Sequence, residues 1–172
     1  MPTPLPAAPP PTAADRWRNF WRGLIVYPAG DTVATLLLHQ FQATRLLGVA
    51  ALGSLLYARE IPAYFRWIDR RVPARPGLGG KLLRATLGLL YFNPLWIARH
   101  LLLIHLFSGR LELINWQLLS IATRSFALNV PVSLAANYLI QNHVPPPRRF
   151  LASAIFSGLM AVYYALSASW LA

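Results

Sequence analysis

The chain has 172 residues, of which 56% are apolar, and it sets 16 basic residues against five acids for a formal net charge of +11. Only 12% of residues are charged, about half the share of a soluble domain, which excludes an ordinary soluble globule. There is no Cys, which excludes a disulfide framework and thiolate metal sites, and the length suits one compact unit rather than two.

Residues 1–14 form the first element, with six Pro in the first eleven positions. Such composition predicts an extended arm with little structure of its own. The arm lacks the apolar core of a secretory signal. Residues 15–22 read DRWRNFWR. Asp15 suits an N-cap, and Trp17, Phe20 and Trp21 share one helical face beside Arg18 and Arg22. That pattern predicts a short helix at the level of lipid headgroups.

From residue 23 to 172 the sequence predicts an all-α, polytopic transmembrane helix bundle. Residues 125–147 and 150–172 contain no Asp, Glu, Lys or Arg, and each stretch is 23 residues long. About 20 residues of helix cross a bilayer core. Four to five spans are expected, over residues 23–43, 46–65, 85–107, 113–141 and 150–171. Pro28, Gly30 and Asp31 weaken the first. Pro131 should kink the fourth.

The charges favour five. Arg16, Arg18, Arg22, Arg66, Arg70, Arg71, Arg75, Lys81, Arg84, Arg148 and Arg149 then fall on one side, and only Arg45 and Arg110 on the other. Such bias is what the positive-inside rule describes. The clusters at Arg66, Arg70, Arg71 and Arg75 and at Arg148 and Arg149 read as sites for anionic lipid such as cardiolipin. Basic and aromatic residues interleave as nucleic-acid surfaces do, but these abut membrane spans, so no nucleic-acid partner is expected.

Charges inside spans need partners or water. Arg59 and Glu60 are expected near a membrane surface. Asp31, Arg99 and Arg124, with Asn137, are expected to face the bundle interior, either as a structural ion pair or as the lining of a polar pathway. On the last helix Ser157, Ala161, Ala165 and Ser169 recur every fourth residue, and Ala154 and Gly158 make a second small pair. Rows of small residues let helices pack closely in lipid.

Catalytic patterns are missing. The five acids are scattered, and no nucleophile elbow, P-loop or dinucleotide fingerprint is present. His39, His100, His105 and His143 lack the i,i+4 spacing of a helical metal site. No enzymatic activity, cofactor or metal is expected.

The segment RLLGVAALGSLLYAREIPAYFRWIDRRVP resembles the Mpv-seventeen family, also called the peroxisomal twenty-two kilodalton membrane protein family. Gly30-Asp31 looks like its early Gly-Asp. Arg45 and Gly48, then Tyr64, Phe65, Arg66, Ile68, Asp69 and Pro73, look like its second element. Pro131, Asn137, Tyr138, Val144, Pro145 and Arg149 follow its C-terminal pattern in order. The likeness covers residues 23–168. The chain departs from the family at Gly88-Leu89, where the family has Asp-Gln, at Val130, where it has Trp, and at Met160-Ala161, where it has Trp-Asn.

The resemblance implies a small polytopic protein of the mitochondrial inner membrane or the peroxisomal membrane. Members have been proposed to act as channels or metabolite pores. Because the departures remove polar and aromatic positions, the expected function is a non-catalytic accessory subunit. Its partners would be other membrane subunits of a large inner-membrane assembly, such as a respiratory complex or an ATP synthase, together with anionic lipid. The alternative is a self-contained channel or small-solute pore lined by Asp31, Arg99, Arg124 and Asn137.

Overall fold

The computed structural model describes residues 10–72 and 77–170, with side chains as far as Tyr163. The expected arm over residues 1–14 is therefore described only from residue 10, and Arg75 and the side chains of Ala165 and Ser169 lie outside the described residues. Among the described residues every regular element is helical: α1 Ala13–Leu37, α2 Ala43–Ala51, a π-helical turn Leu52–Tyr57, α3 Ala58–Arg71, α4 Leu78–Tyr91, α5 Pro94–Phe107, α6 Gln117–His143 and α7 Pro146–Trp170. A 3-10 turn, Leu111–Leu113, leads into α6.

Among the described residues, three helical stretches are long and apolar enough to cross a membrane: Ala43–Arg71, Leu78–Phe107 and Gln117–His143. The first joins α2, the π turn and α3 into one rod of 29 residues. Large apolar side chains cover the outside of the protein, among them Leu47, Leu55, Leu128 and Leu159 at 52–81% exposed. Such a surface suits lipid rather than water.

Helix α1 starts before the expected headgroup helix and runs straight through it. Thr12, not Asp15, is the N-cap. Its side chain accepts from the Asp15 backbone N–H at 3.1 Å, and the Asp15 carboxylate accepts from the Thr12 N–H at 3.1 Å. This is a reciprocal capping box with Asp in the role usually taken by Glu. Residues 15–22 and the segment that follows are thus one helix. Trp17 stacks on Phe20 with ring centroids 5.5 Å apart, and Trp21 meets Trp17 edge-on at 5.4 Å.

Pro28 in α1, Pro62 in α3 and Pro131 in α6 interrupt helices without ending them. Pro62 in α3 cannot donate to the Ala58 carbonyl, and Pro131 in α6 cannot donate to that of Ala127. The π turn lies just upstream of Pro62, and such turns occur where the helical ladder is disturbed. It is also where α1 packs: Gly23 and Gly53 meet backbone to backbone, with no room for a Cβ on either. The expected third span begins earlier than residue 85 and is divided in two. Asn93 caps α5 by accepting from the Trp96 N–H at 3.1 Å, and Pro94 fills the first helical turn.

The ends of the rods are tied by an arginine–carbonyl hydrogen bond and by ion pairs. Arg22 donates to the Pro147 carbonyl at 2.7 Å, which brings the starts of α1 and α7 together. Asp69 near the end of α3 binds Arg84 of α4 and Arg149 of α7. The starts of α1, α4 and α7 and the ends of α3 and α6 therefore share one end of the bundle, and most of the basic residues are there.

Candidate functional site

The bundle encloses a cavity of about 480 Å³ lined by side chains of α1, α2, α4, α5, α6 and α7. That volume lies within the range of small-molecule sites. It extends from Leu38 and Arg45, at the end opposite the basic cluster, to Leu89 and Asn137. Its walls combine Phe92, Trp96, Phe126 and Phe156 with polar side chains.

At the end away from the basic cluster Arg45 grips Asp31. Nε donates to Oδ2 at 2.9 Å and Nη2 to Oδ1 at 2.6 Å, a two-pronged pair with Asp31 only 12% exposed. Paired and hydrogen-bonded charge is tolerated where lone charge is not. Further in, the Tyr57 hydroxyl and His100 Nδ1 share a hydrogen bond of 2.7 Å, and the His100 ring stacks on Trp96 at 5.6 Å. The opposite wall is α6, where Ser125, Asn129, Ser133 and Asn137 line the cavity at every fourth position. Asn129 and Asn137 each donate through Nδ2 to the carbonyl four residues earlier, at 2.7 and 2.9 Å. Each carboxamide is thereby fixed against the helix.

The sequence-derived residues distribute unevenly. Asp31 and Asn137 do line the same cavity. Arg99 does not: it pairs with Glu60 in a separate, shallow groove of about 710 Å³ lined also by Tyr64, Tyr91, Asn93 and Trp96. There Arg99 Nη2 meets Glu60 Oε2 at 2.8 Å, and the Tyr91 hydroxyl donates to the same oxygen at 3.1 Å. Glu60 lies within the Ala43–Arg71 rod. Arg124 is exposed on the outer face of α6. The interior ion pair is Asp31 with Arg45, because Arg45 sits at the start of α2 and its side chain reaches inward.

Of the basic residues expected to bind lipid, Arg70, Arg71 and Arg148 are exposed and Arg66 is half-buried. Arg71 lies over the Trp67 ring at 4.8 Å. Arg149 is a correction. It is 8% exposed, its Nη1 reaches both Asp69 oxygens at 2.8 and 2.9 Å, and its Nε donates to the Val144 carbonyl at 3.0 Å. A guanidinium spent on internal acceptors is closed to headgroups. On α7, Ser157 and Ala161 line the cavity. The close approach to α1 is made by the other small pair, with Ala154 fully buried and Gly158 set against Gly30.

The residues that sequence reasoning missed are Arg45 as a cavity residue, the tyrosine–histidine pair, and the polar repeat on α6. The repeat has a signal, four-residue spacing of Ser and Asn inside a charge-free span. Among the described residues no group of three His, Asp or Glu is close enough to hold a metal ion. Compared with known proteins, the chain matches no family model, no curated protein and no solved structure.

Proposed function

We propose that this chain is a non-catalytic, multi-pass membrane protein that admits a small polar solute into the interior of its bundle. The single observation that carries the reading is the cavity of about 480 Å³, walled on one side by four regularly spaced polar side chains of α6 and bordered at one end by an internally neutralised Asp31–Arg45 pair. Polar side chains that serve only to join helices hydrogen-bond across to a neighbour, whereas Asn129 and Asn137 donate to carbonyls of their own helix. The paired charges and the amides suit an uncharged or zwitterionic solute better than a highly charged one.

Five crossings fit this function. Taking α1, the α2–α3 rod, the α4–α5 pair, α6 and α7 as successive passes puts the basic residues on one side, and the positive-inside rule then faces that side to the matrix or cytoplasm. The resemblance to the Mpv-seventeen family supports a mitochondrial inner-membrane address, with the peroxisomal membrane as the alternative, and a pore-like role. On the basic side Arg66, Arg70, Arg71 and Arg148 would hold anionic lipid.

An accessory role in a larger assembly such as a respiratory complex or an ATP synthase is the second reading. It is favoured by the Glu60–Arg99 pair, whose side chains are 34% and 39% exposed in a groove on the outer wall. Charge facing lipid is costly, and a neighbouring subunit would cover it. A native mass of many hundred kilodaltons in mild detergent would establish that role.

The solute reading is tested through the absence of Cys. Asn129→Cys, placed in the cavity, should react with a small hydrophilic thiol reagent in proteoliposomes. Leu128→Cys, one residue away and 81% exposed on the lipid side, should not. An unreactive Asn129→Cys in folded protein would overturn the reading.

A further inference from the structure

The polar column on α6 does not stop where the cavity stops. Ser125, Asn129, Ser133 and Asn137 are followed at the same spacing by Gln141. At 3.6 residues per turn each step advances about 40° round the helix, so the column winds gently toward the basic end. Exposure falls along it, to 3% at Asn137 and 1% at Gln141. The Gln141 amide is buried, and neither Nε2 nor Oε1 has a hydrogen-bond partner among the described residues. Folded proteins leave few such groups, and each calls for water, an ion or a second state.

The space beside this amide is made by a glycine. A Cβ on Gly88 of α4 would stand 2.6 Å from Asn137 Oδ1 and 3.3 Å from Gln141 Cγ. The α4–α6 contact is therefore polar and tight at one point, with only backbone on the α4 side.

We infer that Gln141 is the closed constriction of a solute route that continues from the cavity to the basic end of the bundle, and that the Arg84–Asp69–Arg149 cluster is its latch; this rests on the solute-cavity reading above. Arg84 is 2% exposed and donates through Nε and Nη2 to the carbonyl of Gln141 itself, at 3.3 and 3.2 Å. Its Nη1 donates to the Val72 carbonyl at 3.1 Å. Asp69 binds Arg84 from one side and Arg149 from the other. One carboxylate thus joins α3, α4 and α7, and through Arg84 it grips α6 at the residue whose amide is idle. Release of this grip lets α4 and α6 part at Gly88. The idle amide then meets water and solute, and the column becomes continuous from Ser125 to the basic face.

The test uses Ser133→Cys as the sole thiol, in oriented proteoliposomes treated from one side at a time with a membrane-impermeant charged methanethiosulfonate. With the latch intact, modification is expected only from the Arg45 side. Adding Gln141→Ala, or separately Asp69→Asn, should raise the rate from the basic side at least tenfold. Gln141→Ala removes only an unpartnered amide, so it keeps the test decisive where Asp69→Asn does not fold. Ser133→Cys modified from the Arg45 side alone in folded Gln141→Ala protein overturns the constriction and leaves the cavity standing. Modification from both sides with the latch intact also overturns it. No modification from either side overturns the cavity reading, and the constriction with it.

Discussion

Gly30 of α1 and Gly158 of α7 touch, but not symmetrically. A Cβ on Gly30 would stand 2.5 Å from the Gly158 Cα, whereas a Cβ on Gly158 would have 3.5 Å to the Gly30 Cα. The first is a clash with backbone and the second is ordinary contact. Gly30→Ala should therefore destabilise the protein by about 1–3 kcal/mol through forced separation of the helices. Gly158→Ala should be neutral, or slightly stabilising through lost unfolded-state freedom. Thermal midpoints of the two variants in one detergent check this, and equal shifts would refute the asymmetry.

The ends of α1 and α5 provide a matched pair. His39 and Gly109 both sit at positive φ, 53° and 67°. In each case the next residue donates back to the last helical turn, Gln40 to the Thr35 carbonyl at 2.8 Å and Arg110 to the His105 carbonyl at 2.9 Å. This is the Schellman arrangement, which favours glycine at that position. His39→Gly should stabilise the protein by about 1 kcal/mol and Gly109→Ala should destabilise it by about as much. Nothing stands within 4 Å of a Cβ on Gly109, so the second effect is conformational alone. Melting curves of both variants measure it.

Arg148 and Arg149 are neighbours with different fates. Arg148 is exposed, and Arg149 is 8% exposed and holds Asp69. Arg149→Met should cost about 3 kcal/mol or more, because Asp69 and Arg84 would be left imperfectly matched in a buried site. Arg148→Met should leave the melting temperature unchanged. Reversing Arg70 and Arg71 to Glu should instead reduce the anionic lipid that copurifies, as counted by mass spectrometry, and unchanged lipid would refute the headgroup role.

Acid should loosen the start of α1. The Thr12 side-chain and backbone hydrogen bonds, and then Arg18, hold the Asp15 carboxyl below its ordinary value. A lowered value in the folded state means stability that is present above the unfolded value, about 4, and is lost as pH falls through the folded one. Hydrogen exchange over residues 13–18 should therefore accelerate at low pH relative to the rest of the bundle, once intrinsic rates are removed. Asp15→Asn should abolish that dependence.

The sequence made the outer architecture legible and hid the inner one. Charge-free runs long enough to span a bilayer marked α6 and α7, and the clustering of arginines marked the basic end. Those signals depend on composition alone. The partners of individual charges do not. Asp31 could have met Arg99 or Arg124, and it meets Arg45 because α2 starts beside the end of α1 after a short connection. Glu60 and Arg99 lie 39 positions apart and meet only because the fold brings the start of α3 within side-chain reach of α5. Arg149 read as a headgroup ligand because its burial is set by α3 and α4, far away in sequence. Gln141 looked like the polar end of a span, and only packing shows that its amide is idle.

The cavity's electrical neutrality is itself open to test. Asp31 and Arg45 are 12% and 20% exposed and cancel each other at one end of it. Asp31→Asn leaves a guanidinium facing the cavity, and Arg45→Gln leaves a carboxylate. Charge of one sign in a low-dielectric cleft raises the local concentration of the opposite ion by about tenfold or more. With Ser133→Cys as the reporter, Asp31→Asn should speed modification by a negatively charged methanethiosulfonate relative to a positively charged one by about that factor, and Arg45→Gln should invert the preference. High salt should reduce both effects, since exposed parts of the field are screened. Equal rates for the two reagents in both variants would mean that the pair does not border the path by which solute reaches Ser133.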